Sequence, residues 1–167
     1  MGTWTTTPRT WVAGEVPTAT HFNENVRDFG RAFSDAWTSY TPTLTASTTN
    51  PTGWTQTGYY MQAGKLIHVK GSLTAGASMT AGSGTYRIAL PVNANTTMSD
   101  AKLNGSVWLY DSSTGNAASH YIAYVAAAGY VQLVGATGGG LTIVSDSAPW
   151  TWAASDLIQF AFTYEAA

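Results

Sequence analysis

From Trp37 onward the chain alternates apolar and polar side chains with a period of two, and the alternation is broken at short intervals by Gly, Pro, Asn and Ser. A period of two is the signature of a β-strand, in which successive side chains point to opposite faces; an amphipathic helix would repeat every ~3.6 residues. Candidate strands run over 37–44, 54–61, 65–74, 85–90, 103–111, 119–127, 130–135, 141–145 and 157–164. In the third, Ile67, Val69 and Leu73 share one face and His68, Lys70 and Ser72 the other. In the last, Ile158, Phe160, Phe162 and Tyr164 form the apolar face, opposite Leu157, Gln159, Ala161 and Thr163. Many short strands between regularly spaced turns predict an all-β fold, a jelly-roll-like antiparallel β-sandwich over residues 37–167.

Residues 1–36 do not share this pattern. Positions 1–16 form a Thr-rich extended arm containing Trp4, Arg9 and Trp11, with no period of its own. Two tryptophans are unusual in a solvated tail, so the arm reads as a peg that docks on a surface, with a disordered tail as the alternative. From Thr18 to about Phe33 one short helix is expected. Thr18 is a suitable N-cap, and Phe22, Val26, Phe29 and Phe33 recur at spacings of four, three and four. Four apolar side chains cannot offset the conformational entropy of ordering such a segment, so the helix needs a partner. That partner is either two further copies around a three-fold axis or the chain's own sheet.

Composition narrows the function. Of the 167 residues only 10% are charged, against about 25% in an average soluble domain. The surface is therefore solvated by hydroxyls and amides or covered by other subunits. The net charge of −2 and the absence of Lys/Arg runs leave little counterion release to drive nucleic-acid binding. With no cysteine, disulfides and thiolate chemistry are excluded. The N-terminal segment lacks the apolar core of a signal peptide, which predicts synthesis in the cytoplasm without signal-peptide secretion. The apolar stretch 121–136 is shorter than the ~20 residues of a spanning helix and reads as two strands, with no membrane partner expected.

Catalytic patterns are missing. Neither Gly71-Ser72 nor Gly82-Ser83-Gly84 supplies a nucleophile elbow, and His21, His68 and His120 never occur at metal-ligand spacing. The carboxylates are dispersed, mostly in turns, and Asp111-Ser112-Ser113-Thr114-Gly115-Asn116 reads as a hairpin turn before a cation loop. Asp111, Asp146 and His68 are expected at exposed positions, where replacement by Ala shifts stability by under ~0.5 kcal/mol. Gly138-Gly139-Gly140 precedes a strand and not a helix, so it is a hairpin tip and not a phosphate cradle. No enzyme activity, metal or cofactor is expected. Trp150 and Trp152 fall on one face of an extended segment and are read either as a platform for glycan stacking or as aromatics buried in the core or between subunits.

Several stretches resemble a family of small virion structural proteins of tailed phages, especially phages of actinobacteria. They are 10–15 (Thr-Trp-Val-Ala-Gly-Glu), Asn25-Val26-Arg27-Asp28, 37–45 from Trp37 to Thr45, 58–69 from Gly58 to Val69, 84–92 from Gly84 to Val92, and the closing 156–165. The resemblance covers both ends and much of the middle, while residues 100–150 match nothing in it. It implies a non-enzymatic homotrimer on the virion surface, bound to the major capsid protein or to a tail protein. On that basis residues 1–36 are the virion anchor, with Trp4, Arg9 and Trp11 docking on the particle and Phe22, Val26, Phe29 and Phe33 forming the trimer contact. Two roles are carried forward: a capsid decoration protein that stabilises the head, and a minor tail protein or tail-fibre adhesin binding a host glycan.

Overall fold

The computed structural model describes residues 10, 12–23, 30, 37–97, 105–137 and 140–167. The arm residues Trp4, Arg9 and Trp11 and the seam residues Val26, Phe29 and Phe33 lie outside these. The described part of the expected helix is α1, Ala19–Phe22, and Thr18 caps it as its sequence suggests. The Thr18 hydroxyl accepts from the His21 backbone N–H at 3.3 Å, and His21 Nδ1 accepts from the Thr18 N–H at 3.2 Å, so two otherwise orphaned donors are satisfied reciprocally.

Ten strands follow: β1 Thr38–Tyr40, β2 Leu44–Ala46, β3 Thr52–Ala63, β4 Leu66–Thr80, β5 Tyr86–Ala89, β6 Ser106–Asp111, β7 Asn116–Ala127, β8 Tyr130–Thr137, β9 Gly140–Ile143 and β10 Leu157–Glu165. The fold is all-β and antiparallel, a curled sheet of the sandwich or jelly-roll type. Each expected strand is present, and the first is divided in two. Pro42, which has no N–H to donate, interrupts it, and Thr43 N–H turns back to Thr41 O at 2.9 Å. The apolar stretch 121–136 is, as expected, two strands, the β7–β8 hairpin.

Nine strands lie on one path, β1-β3-β4-β10-β6-β7-β8-β5-β2, and β9 pairs the far half of β8. The division at Pro42 has a large consequence, because β1 and β2 occupy opposite ends of that path yet are joined by residues 41–43 alone. A flat sheet of nine strands would be about 38 Å wide at ~4.8 Å per strand. Four residue steps reach at most ~14 Å. The sheet therefore has to curl until its ends nearly meet. Leu44 N–H donates to Gln56 Oε1 at 3.0 Å, tying β2 to β3 across the gap.

Curling encloses one core. Ile67, Val69 and Leu73 of β4 and Ile158, Phe160, Phe162 and Tyr164 of β10 are buried on the faces that their alternation indicated. Val107 and Leu109 of β6, Val125 of β7 and Val131 and Leu133 of β8 complete the interior. The Tyr164 hydroxyl donates to Val92 O at 2.8 Å, and burial pushes its pKa up to about 12. Two glycines are required by geometry. Gly64 takes φ +60 at the first central position of the two-residue β3–β4 turn, as a II′ hairpin needs. Gly71 faces Phe160 in register, and the Phe160 ring occupies the space that a side chain at 71 would need.

Candidate functional site

The outward faces of β3, β4, β10 and β6 form an open groove of about 560 Å³. Strand register explains its shape. Tyr59, Lys70, Ala161 and Ser106 lie side by side in one row across the four strands, and Thr57, Ser72, Gln159 and Trp108 in the next. Short side chains (Ala161, Ser106, Ser72 and Thr57) make the floor. The two aromatic residues stand at diagonally opposite corners, their Cα positions about 16 Å apart by strand spacing and rise. Tyr59 is 41% exposed and Trp108 half-buried. The indole of Trp108 is held by Tyr110, stacked at 5.4 Å with 14° between the ring planes.

Lys70 is the one charged residue among the described lining residues. Its Nζ sits 4.1 Å from the centroid of the Trp37 ring, a cation–π contact that sets its direction. His68, one step along β4 on the same face, contacts the Trp37 edge at 5.4 Å, and its Nδ1 hydrogen-bonds the Thr163 hydroxyl at 2.8 Å. The groove thus offers flat aromatic surface, an amide, hydroxyls and one amine, without a nucleophile paired to a base. Such a lining suits binding by stacking and hydrogen bonding, and its volume falls within the ~300–1,000 Å³ of small-ligand sites.

The residues singled out from sequence are distributed differently. Trp152 is corrected: it is 4% exposed, and its Nε1 donates to Ser145 O at 2.7 Å. With Trp54 at 5.5 Å and Tyr86 at 5.9 Å it forms an aromatic cluster inside the curl, so it has no face to offer a sugar. Burial, the alternative weighed against stacking, holds for Trp152. Trp150 is half-buried at 5.5 Å from Trp152. Asp111 is likewise corrected from an exposed turn position to 7% exposed. Its oxygens accept from Ser113 N at 2.9 Å, Ser113 Oγ at 2.6 Å, Thr114 N at 3.3 Å and Thr114 Oγ1 at 2.8 Å. Those hydroxyl bonds, above all, hold its pKa below the ordinary 3.8. The loop is the hairpin turn that its sequence suggested.

Asp156 is fully buried and ties two loops together, accepting from Ser112 N at 3.0 Å, Ser112 Oγ at 3.1 Å and Ala153 N at 2.8 Å. Asp146 accepts from Gly84 N at 2.9 Å. Phe22 is 53% exposed, Val12 70% and Val16 80%. Sequence reasoning passed over Tyr59 and Trp108. For Trp108 the available signal was the outward phase of β6, where Trp108 and Tyr110 put aromatics on the face that alternation assigns to solvent. No helix among the described residues is long and apolar enough to cross a membrane. The chain has no significant match to a family model, a curated protein or a solved structure.

Proposed function

We propose that the chain is a non-enzymatic structural protein of a tailed-phage virion, a homotrimer that attaches through its N-terminal arm to the major capsid protein and decorates the head. The observation that carries this reading is the state of the anchor. Val12, Val16 and Phe22 fall within eleven residues and are all more than half exposed, and among the described residues here Glu15 N bonds Val12 O at 3.0 Å and Phe22 N bonds Thr18 O at 3.2 Å. Single exposed apolar side chains are ordinary on a surface, but three within one short segment support a docking role for it. A surface with few charges is consistent with burial in an assembly. Three arms on one trimer bind with high effective concentration once the first is seated, and a ligand selective for the assembled lattice stabilises it by mass action.

The test is addition of the full chain, and of a chain lacking residues 1–16, to purified particles devoid of it. The full chain should bind in hundreds of copies spread over the head, and the shortened one should remain a folded trimer in solution and fail to bind. Binding by the shortened chain overturns the role of the arm. Attachment in a handful of copies at the tail replaces decoration with the adhesin role.

A further inference from the structure

We infer that the groove across β3, β4, β10 and β6 binds a short oligosaccharide, with Tyr59 and Trp108 stacking on two of its rings. This site is separate from the buried Trp152 and holds whether the protein sits on a head or a tail. The chemistry of a saccharide is what the two rows of side chains match. A pyranose ring has apolar C–H faces and a rim of hydroxyls, so it needs flat aromatic surface and hydrogen-bonding groups at its edge. Here the rings stand at opposite corners, and between them lie Ser72, Gln159 and Lys70, whose outward heads can reach a hydroxyl rim. The floor is made shallow by Ala161 and Ser106, leaving room above it for a ligand lying flat across the strands.

The other candidate occupants fit less well. A protein strand adds to a sheet at its edge, where backbone N–H and C=O groups are unpaired; the groove lies over strands β4 and β10, both paired on either side. A second copy covering this face would bury the Lys70 amine and the Gln159 amide, and a buried polar group without a partner costs about 1–3 kcal/mol. A sugar supplies its own hydroxyls to both. With no carboxylate among the described lining residues and one lysine, the site accepts neutral or acidic saccharides and disfavours amino-sugar cations.

The experiment titrates the full-length protein with maltotetraose, cellotetraose and tetra-N-acetylchitotetraose, following backbone amide and tryptophan indole NMR signals. At least one tetrasaccharide should shift Tyr59, Ser72, Trp108 and Gln159 together. Trp108→Ala should weaken that binding at least tenfold. Ser106→Tyr should do the same by filling the floor, without removing a packed ring, and an aromatic residue is well tolerated on an exposed strand. Trp150→Phe should leave the affinity unchanged. The inference is overturned if none of the three sugars shifts the groove signals, if binding survives Ser106→Tyr, or if those signals respond to protein concentration instead of sugar, which would assign the groove to a second copy.

Discussion

At Asp111 the hydroxyls and N–H groups of Ser113 and Thr114 all converge on one carboxylate at the tip of the β6–β7 hairpin. Those bonds favour the charged form, so the folded protein holds the acid below its ordinary pKa of 3.8. A depressed carboxylate contributes stability that is present above the unfolded value and is lost as pH falls through the folded one. Asp111→Asn should therefore melt below the wild type near neutral pH. The gap should shrink as the pH drops below 3.8, where the carboxylate takes up a proton. Thermal melts at a series of pH values check this. A gap that stays constant into strong acid would mean that the charge is not what the turn holds.

Among the elements, α1 and the strands differ in how they are supported. Each central strand has two neighbours, and β4 pairs β3 on one side and β10 along nine positions on the other. The capping box closes the first turn of α1, but Phe22 remains largely exposed there. A short helix with its apolar residues uncovered gains little from propensity and depends on a partner. If Phe22, Val26, Phe29 and Phe33 meet their counterparts around a three-fold axis, changing all four to Ser removes on the order of 8 kcal/mol of apolar burial per chain. Light scattering should then report monomers or a concentration-dependent trimer. A stable trimer after that change would place the contact on the sheet faces instead.

At the scale of the whole molecule, curling makes one core out of strands that are far apart in the chain. The buried Tyr164 hydroxyl reaches Val92 O across 72 positions of sequence, and Trp54 of β3 packs on Tyr86 of β5 at 6.3 Å across the interior. A shared core transmits a local defect to every strand, so unfolding should be a single transition. Leu109 in β6 is fully buried. Leu109→Ala should cost about 2–5 kcal/mol through lost burial and the cavity left behind. Near-UV dichroism, dominated by the Trp54–Tyr86–Trp152 cluster, and far-UV dichroism should fall at the same lowered temperature. Two separate transitions would divide the sheet into independent halves.

Alternation alone placed the strands and chose the buried face of β4 and β10, because which side of a strand a residue faces is a local property with a period of two. A turn residue also acts locally, through its own dihedral limits, and Gly64 fell between two expected strands, but the break that Pro42 makes inside the expected strand 37–44 was passed over. The order of strands was not legible, since Tyr59 and Trp108 came to line one groove through the pairing of β10 with β4, about ninety residues away in the sequence, and with β6, about fifty away. Alternation could not tell Trp152 from Trp108 either. Both are tryptophans in extended chain, and only the curl decides that one lies inside it, bonded to Ser145, and the other on its outer wall. Burial of Asp111 likewise depends on its own turn folding back over it. Local periodicity therefore determined the elements and their faces, while long-range register and closure of the sheet determined which of those faces meet.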